Sequence, residues 1–160
     1  MHRLFATAAL CACLAAPLSA QTNISLGGLS ADPSAPVEIT ADGLTVDQDS
    51  RSAVFAGNVV IGQGDLRIAA ARVEVIYSSD SGDIARLNAS GGVTFVTATE
   101  AAESASAAYD LTTGQLTLTG EVLLTQGPNA LSTDRMIVNL SDGTARMEGR
   151  VRTVFQQDGN

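Results

Sequence analysis

Phe55-Ala56-Gly57-Asn58-Val59-Val60-Ile61 and Leu118-Thr119-Gly120-Glu121-Val122-Leu123-Leu124 are two copies of one pattern. Around them, Asp47 to Tyr77 overlays Asp110 to Leu140 without a gap. Gly64 falls over Gly127, Ile68 over Leu131, and Arg72-Val73-Glu74-Val75 over Arg135-Met136-Ile137-Val138. What repeats is glycine, arginine and alternating apolar positions. That framework builds sheet and carries no catalytic signature, so function belongs to a surface the repeat creates.

Period-two alternation runs through the rest of the chain and marks half-buried strands. Val37, Ile39 and Ala41 share one side, then Leu44 and Val46, Ala53 and Phe55, and Val59 and Ile61. Later runs are Leu66–Ala70, Val73–Tyr77, Val93 with Phe95, Leu116 with Leu118, Val122 with Leu124, Met136–Leu140, and Val151 with Phe155. Within them Gly-x-Val recurs at Gly57, Gly91, Gly120 and Gly149. Glycine there supplies the backbone freedom a strand needs to bend or bulge. Thr99 to Ala108 has helix-favouring alanines and glutamates, yet Ala105, Ala107 and Tyr109 alternate, which favours strand. One such unit cannot bury its apolar face alone, so units must stack. The expectation is an all-β chain, a jelly roll or solenoid-like stack of about a dozen strands.

Met1 to Ala20 reads as a cleaved secretory signal peptide: a basic head, an apolar run from Leu4 to Leu14, and Pro17-Leu18-Ser19-Ala20 before the cut. A lipoprotein reading that would modify Cys13 fits this leader poorly. Gln21 to Pro36 reads as a flexible lead-in, 36–155 as a single domain, and Gln156 to Asn160 as a polar tail. Both cysteines and the only histidine lie in the leader, and the chain has no lysine. Thiolate and imidazole catalysis, Cys/His zinc sites and Schiff-base chemistry are thereby excluded from the mature protein. The formal net charge of −8 disfavours nucleic acid as a partner. No cofactor and no metal are expected.

Candidate motifs have plainer readings. Asp47-Gln48-Asp49-Ser50 starts like a calcium loop but has Ser52 and Asn58 where Gly and Glu are needed, so it reads as an acidic turn. Asp80-Ser81-Gly82 lacks the second half of an aspartic-protease dyad. Gly62-Gln63-Gly64-Asp65 reads as a hairpin connection. Arg72 and Arg135 hold equivalent repeat positions; each either pairs with a nearby acid, Glu74 or Asp134, or meets an anionic head group.

Pro36-Val37-Glu38-Ile39-Thr40-Ala41-Asp42, Phe55-Ala56-Gly57-Asn58-Val59-Val60-Ile61, Gln63-Gly64 and Ala70-Ala71-Arg72-Val73 form an ordered set. Tyr109-Asp110, Leu118-Thr119-Gly120-Glu121-Val122 and Thr133-Asp134-Arg135-Met136 repeat it. The set resembles the OstA-like domain of lipopolysaccharide-transport proteins, over Pro36 to about Phe155. The resemblance implies a twisted, open antiparallel β-jelly roll in the periplasm whose interior shelters the acyl chains of lipopolysaccharide. It also implies head-to-tail self-association and docking to an inner-membrane LptC-type protein and to the N-terminal domain of an outer-membrane LptD-type protein.

Physics asks the same of any such carrier. An acyl chain of about 12 carbons held in water costs roughly 10 kcal/mol, so a continuous apolar trough is required. Candidate lining residues are Ile39, Val46, Phe55, Val59, Ile61, Ile68, Val75, Phe95, Leu118, Val122, Leu124 and Val138. Candidate edge residues for association are Val37, Ile39, Met147, Val151 and Phe155. Two other readings stay open: a structural β-solenoid that polymerises without ligand, and a small carbohydrate-acting β-helix.

Overall fold

The computed structural model describes residues 23–25, 32 and 34–155. The signal peptide and the polar tail lie outside the described residues, as does most of the lead-in. Eleven strands form one antiparallel sheet: β1 (Asn23–Ser25), β2 (Glu38–Thr40), β3 (Gly43–Asp47), β4 (Ser52–Gln63), β5 (Leu66–Tyr77), β6 (Ile84–Val96), β7 (Glu100–Asp110), β8 (Gln115–Gln126), β9 (Asn129–Asn139), β10 (Thr144–Glu148) and β11 (Arg152–Val154). Strands β4 to β10 pair in chain order, as hairpins linked by tight turns require. Both β2 and β3 pair with β4, and both β10 and β11 pair with β9. Each of those end pairs is therefore one bent strand interrupted at its bend. The short apolar runs of the sequence are halves of long strands: Leu66–Ala70 and Val73–Tyr77 are both β5. The Thr99–Ala108 segment falls in β7, as its alternation requires.

A single line of irregularities crosses the whole sheet. Pairing slips along it at Ala56/Val59, Ala70/Arg72, Ser90/Val93, Glu103/Ser106 and Thr119/Val122, and the one slip off the line, Ile76/Tyr77, lies at the end of β5. The extra residues alternate across the sheet as Gly57-Asn58, Ala71, Gly91-Gly92, Ala105 and Gly120-Glu121, with Asp134 and Gly149-Arg150 continuing the line. Ala105, expected on the face of Tyr109, sits in this line instead, beside Gly120. At Gly120, φ is +86°, and a Cβ there would lie 2.8 Å from the Cβ of Ala105. Backbone conformation and lack of space both demand glycine. The Gly-x-Val signal thus marks where each second strand bends.

The bend explains the core. Phe95, Val73, Val75, Leu116, Leu118, Leu124, Met136 and Val138 are 0% exposed, although the described residues include no helix and no second sheet. Only the sheet itself can cover them, so it folds along the bulge line and its two halves close on each other. Burial keeps period two on each side of the line. On β5 the inward set changes phase across Ala71, from Leu66, Ile68 and Ala70 to Val73 and Val75.

A three-residue strand lies within the segment read as a lead-in: β1 pairs with β10 through Asn23↔Arg146 and Ser25↔Thr144. The first and the tenth of the described strands therefore meet at one edge of the sheet.

Candidate functional site

The inward face forms one continuous apolar layer from edge to edge. Eleven of the twelve candidate lining residues belong to it as buried or partly buried side chains. Val59, Ile61, Ile68, Val75, Phe95, Leu118, Val122, Leu124 and Val138 are buried. Phe55, like Ile39 at the edge, is partly buried against that core. Val46 departs from the expectation of an enclosed position: it is 62% exposed. Its side is still the inward one, because it sits opposite buried Ala53, as Leu44 sits opposite Phe55. Among the described residues no further strand pairs with β3, so the trough is uncovered there. The interior is otherwise filled by its own side chains, and acyl chains can lie between the halves only if the halves part.

The far ends of the strands, opposite the bend, form a rim where polar groups turn inward. Tyr109 of one half donates from its hydroxyl to Oε1 of Gln63 in the other, at 3.0 Å and fully buried. Gln63 in turn donates to the carbonyl of Ala35. Burial pushes the Tyr109 phenol above its ordinary pKa, so it stays a donor through neutral pH. This bond fastens the two halves together. Tyr109→Phe leaves a buried amide oxygen unpaired and is expected to cost about 1–2 kcal/mol, read as a lower midpoint in urea unfolding. Gln63 was legible only as part of a turn, because its partner lies three strands away.

Both ends of the layer are open. At one, Leu44 and Val46 are exposed; at the other, Val151 and Phe155 are 51% and 69% exposed. Of the expected edge residues, Val37 and Ile39 pack partly against the core beside the free edge of β2. Val151 and Phe155 flank β11, which among the described strands pairs only with β9. Met147 is different. It faces inward opposite Met136 on β10, whose outer edge β1 already occupies along Thr144–Arg146.

With the exception of Glu100, which is buried, charged groups serve the outer face and the turns. Asp47 accepts backbone N–H groups of Asp49 and Ser50, and its repeat equivalent Asp110 accepts that of Thr113. The plain reading of Asp47-Gln48-Asp49-Ser50 as a turn therefore holds. Arg135 pairs with Glu148 at 3.5 Å, not with Asp134, which instead holds Arg150 at 2.9 Å. Among the described residues Arg72 forms no ion pair and stands exposed between Ala56 and Ser90. No group of three or more His, Cys, Asp or Glu side chains among them could hold a metal ion.

Backbone N–H groups hold the carboxyls of Asp47 and Asp110 below the usual range, and the side chains of Arg150 and Thr144 do so for Asp134 and Asp142. A depressed folded pKa gives stability that is present above the unfolded value near 3.9 and lost as pH falls through the folded one. The melting temperature should therefore change little from pH 7 to pH 5 and fall below about pH 4. A melting series across that range checks it.

Three comparisons bear on this geometry. The solved structure of LptH, described as the LptA-homologous periplasmic component of the lipopolysaccharide transport device of Pseudomonas aeruginosa, superposes with a TM-score of 0.71. It is 16% identical, covering 79% of this chain and 99% of that one, a likeness of fold. An uncharacterized protein of Rhizobium meliloti (strain 1021) is 29% identical over 148 residues, 86% of this chain and 80% of that protein. The family model described as LptA/(LptD N-terminal domain) LPS transport protein matches residues 38–144, from β2 to the start of β10. With more than half of its length matched by that model, and with the bent open sheet the fold requires, the chain belongs to the LptA/LptD N-terminal domain family of lipopolysaccharide-transport proteins.

Proposed function

We propose that this protein is a non-enzymatic periplasmic carrier and bridge that holds the acyl chains of lipopolysaccharide between the halves of its sheet and passes the lipid from inner to outer membrane. The observation that carries the reading is the uninterrupted apolar layer, which ends at both edges in exposed inward-facing residues. A closed globular core would not leave Leu44, Val46 and Phe155 in water at its ends. A neighbouring copy, or a similar domain at either membrane, that adds a strand beside β2–β3 or β11 would continue both the sheet and the trough. LptC-type and LptD-type proteins are the proposed docking partners.

Packing of the interior sets the energetic condition. Parting the halves breaks the Tyr109–Gln63 bond and exposes aliphatic side chains. Each enclosed acyl chain of about 12 carbons returns roughly 10 kcal/mol, enough to offset an opening of that kind. The same packing is what favours the second reading, a ligand-free structural solenoid. Co-elution separates the two: the purified full chain is incubated with lipopolysaccharide, and the protein peak is analysed for bound lipid. Lipid in the protein peak is expected. Its absence from folded protein would overturn the carrier reading.

A further inference from the structure

One buried acidic side chain has no role in the packing described so far. Glu100 opens β7 with its side chain on the inward face, and it is 3% exposed. It sits opposite Gln126 and one inward position beyond Ala102, whose cross-strand neighbours are Phe95 and Leu124. The carboxylate thus stands on the rim, about 7 Å along the strand from an apolar row that is fully buried. One hydrogen bond orients the carboxylate and a second holds the backbone beneath it. The Gln126 side-chain amide donates to Oε1 at 2.6 Å, and the Glu100 backbone N–H donates to Oγ1 of Thr97 at 3.2 Å.

Oε2 is buried and has no hydrogen-bond partner. Only one other buried side-chain atom among the described residues shares that condition, Nε of Arg146. Arg146 lies on the outer face, is 42% exposed and is already engaged with Glu148. Every other buried polar side chain of the rim is engaged: Gln63 with Tyr109 and Ala35, and Thr97 with Glu100. A buried carboxylate oxygen left unpaired in an otherwise satisfied belt is costly to the fold, and such an atom calls for a donor.

We infer that Oε2 of Glu100 is a specificity-determining acceptor for the cargo, receiving a hydrogen bond from an O–H or N–H group placed where acyl chains leave the lipid head. This rests on the carrier reading and names the chemistry the trough selects: amphiphiles with a donor beside their chains, in preference to plain hydrocarbon chains. The placement fits that chemistry. Chains enter the row of Phe95, Ala102 and Leu124, and the donor stops at the rim.

The test uses the full chain and two pairs of synthetic glycolipids of equal chain length. One pair differs only in a hydroxyl on the acyl chain, and the other only in amide against ester linkage. Wild type should prefer the donor-bearing member of at least one pair by about tenfold or more. Glu100→Met, similar in size and apolar, should bring that preference within about twofold while still binding the donor-free lipid. Glu100→Gln keeps the acceptor for Gln126 and serves as the variant closest to the native packing. It should abolish preference for an amide N–H and weaken preference for a hydroxyl, which can also accept. The pair that loses discrimination identifies the donor. Equal affinities within both pairs for wild type, or preferences unchanged in Glu100→Met, would overturn the inference and leave the carrier reading intact. If none of the lipids binds, the carrier reading itself fails.

Discussion

Gly91→Ala is expected to destabilise the protein by about 3 kcal/mol, while Gly92→Ala, at the next residue, costs only about 1 kcal/mol. Both glycines have φ of +82°, so the backbone penalty for an L side chain is the same. They differ in space. A Cβ on Gly91 would lie 2.7 Å from the Cβ of Ala71, whereas one on Gly92 meets nothing within 4 Å. For a domain of this size the difference corresponds to a melting temperature lower by several degrees in Gly91→Ala than in Gly92→Ala. Equal melting temperatures would mean that the close approach of Gly91 to Ala71 at the bend is not what requires glycine there.

If copies join head to tail as proposed, replacing both Leu44 and Val46 with Asp is expected to weaken that association by about a hundredfold while leaving the monomer folded. The two side chains point inward from β3 but are 57% and 62% exposed, so the monomer gains little from them. Burial against a neighbouring copy would be worth roughly 1–1.5 kcal/mol for each, and a carboxylate in its place adds a desolvation cost. Sedimentation velocity over a concentration series reads the shift toward monomer. Unchanged association would remove this edge from the assembly.

The face of the trough was legible from period two because inward residues such as Leu116, Leu118, Val122 and Leu124 alternate cleanly on β8. The bend was legible as well, since a glycine repeated before an inward valine has few other uses within a strand. Enclosure was not. Val46 carries the same pattern as buried Val59, and only the missing neighbour beyond β3 leaves it in water. Period also says nothing about distant pairing. The contact of β1 with β10, the Tyr109–Gln63 bond and the choice of Glu148 by Arg135 each join positions that no local pattern relates. Glu100 was hidden for a further reason: composition treats glutamate as a surface residue, and its burial follows from a place at the rim of a folded sheet.

Photo-crosslinking along β8 in cells tests the carrier claim most directly, with the reactive side chain placed in turn at Leu116, Thr117, Leu118, Val122, Leu123 and Leu124. Leu123 is the informative control, because it is apolar yet faces outward at 40% exposure. The expected result is lipopolysaccharide adducts at Leu116, Leu118, Val122 and Leu124 and none at Thr117 or Leu123. Adducts at Leu123 equal to those at its inward neighbours, or no adducts at any inward position of the folded protein, would contradict a lipid path between the halves of the sheet.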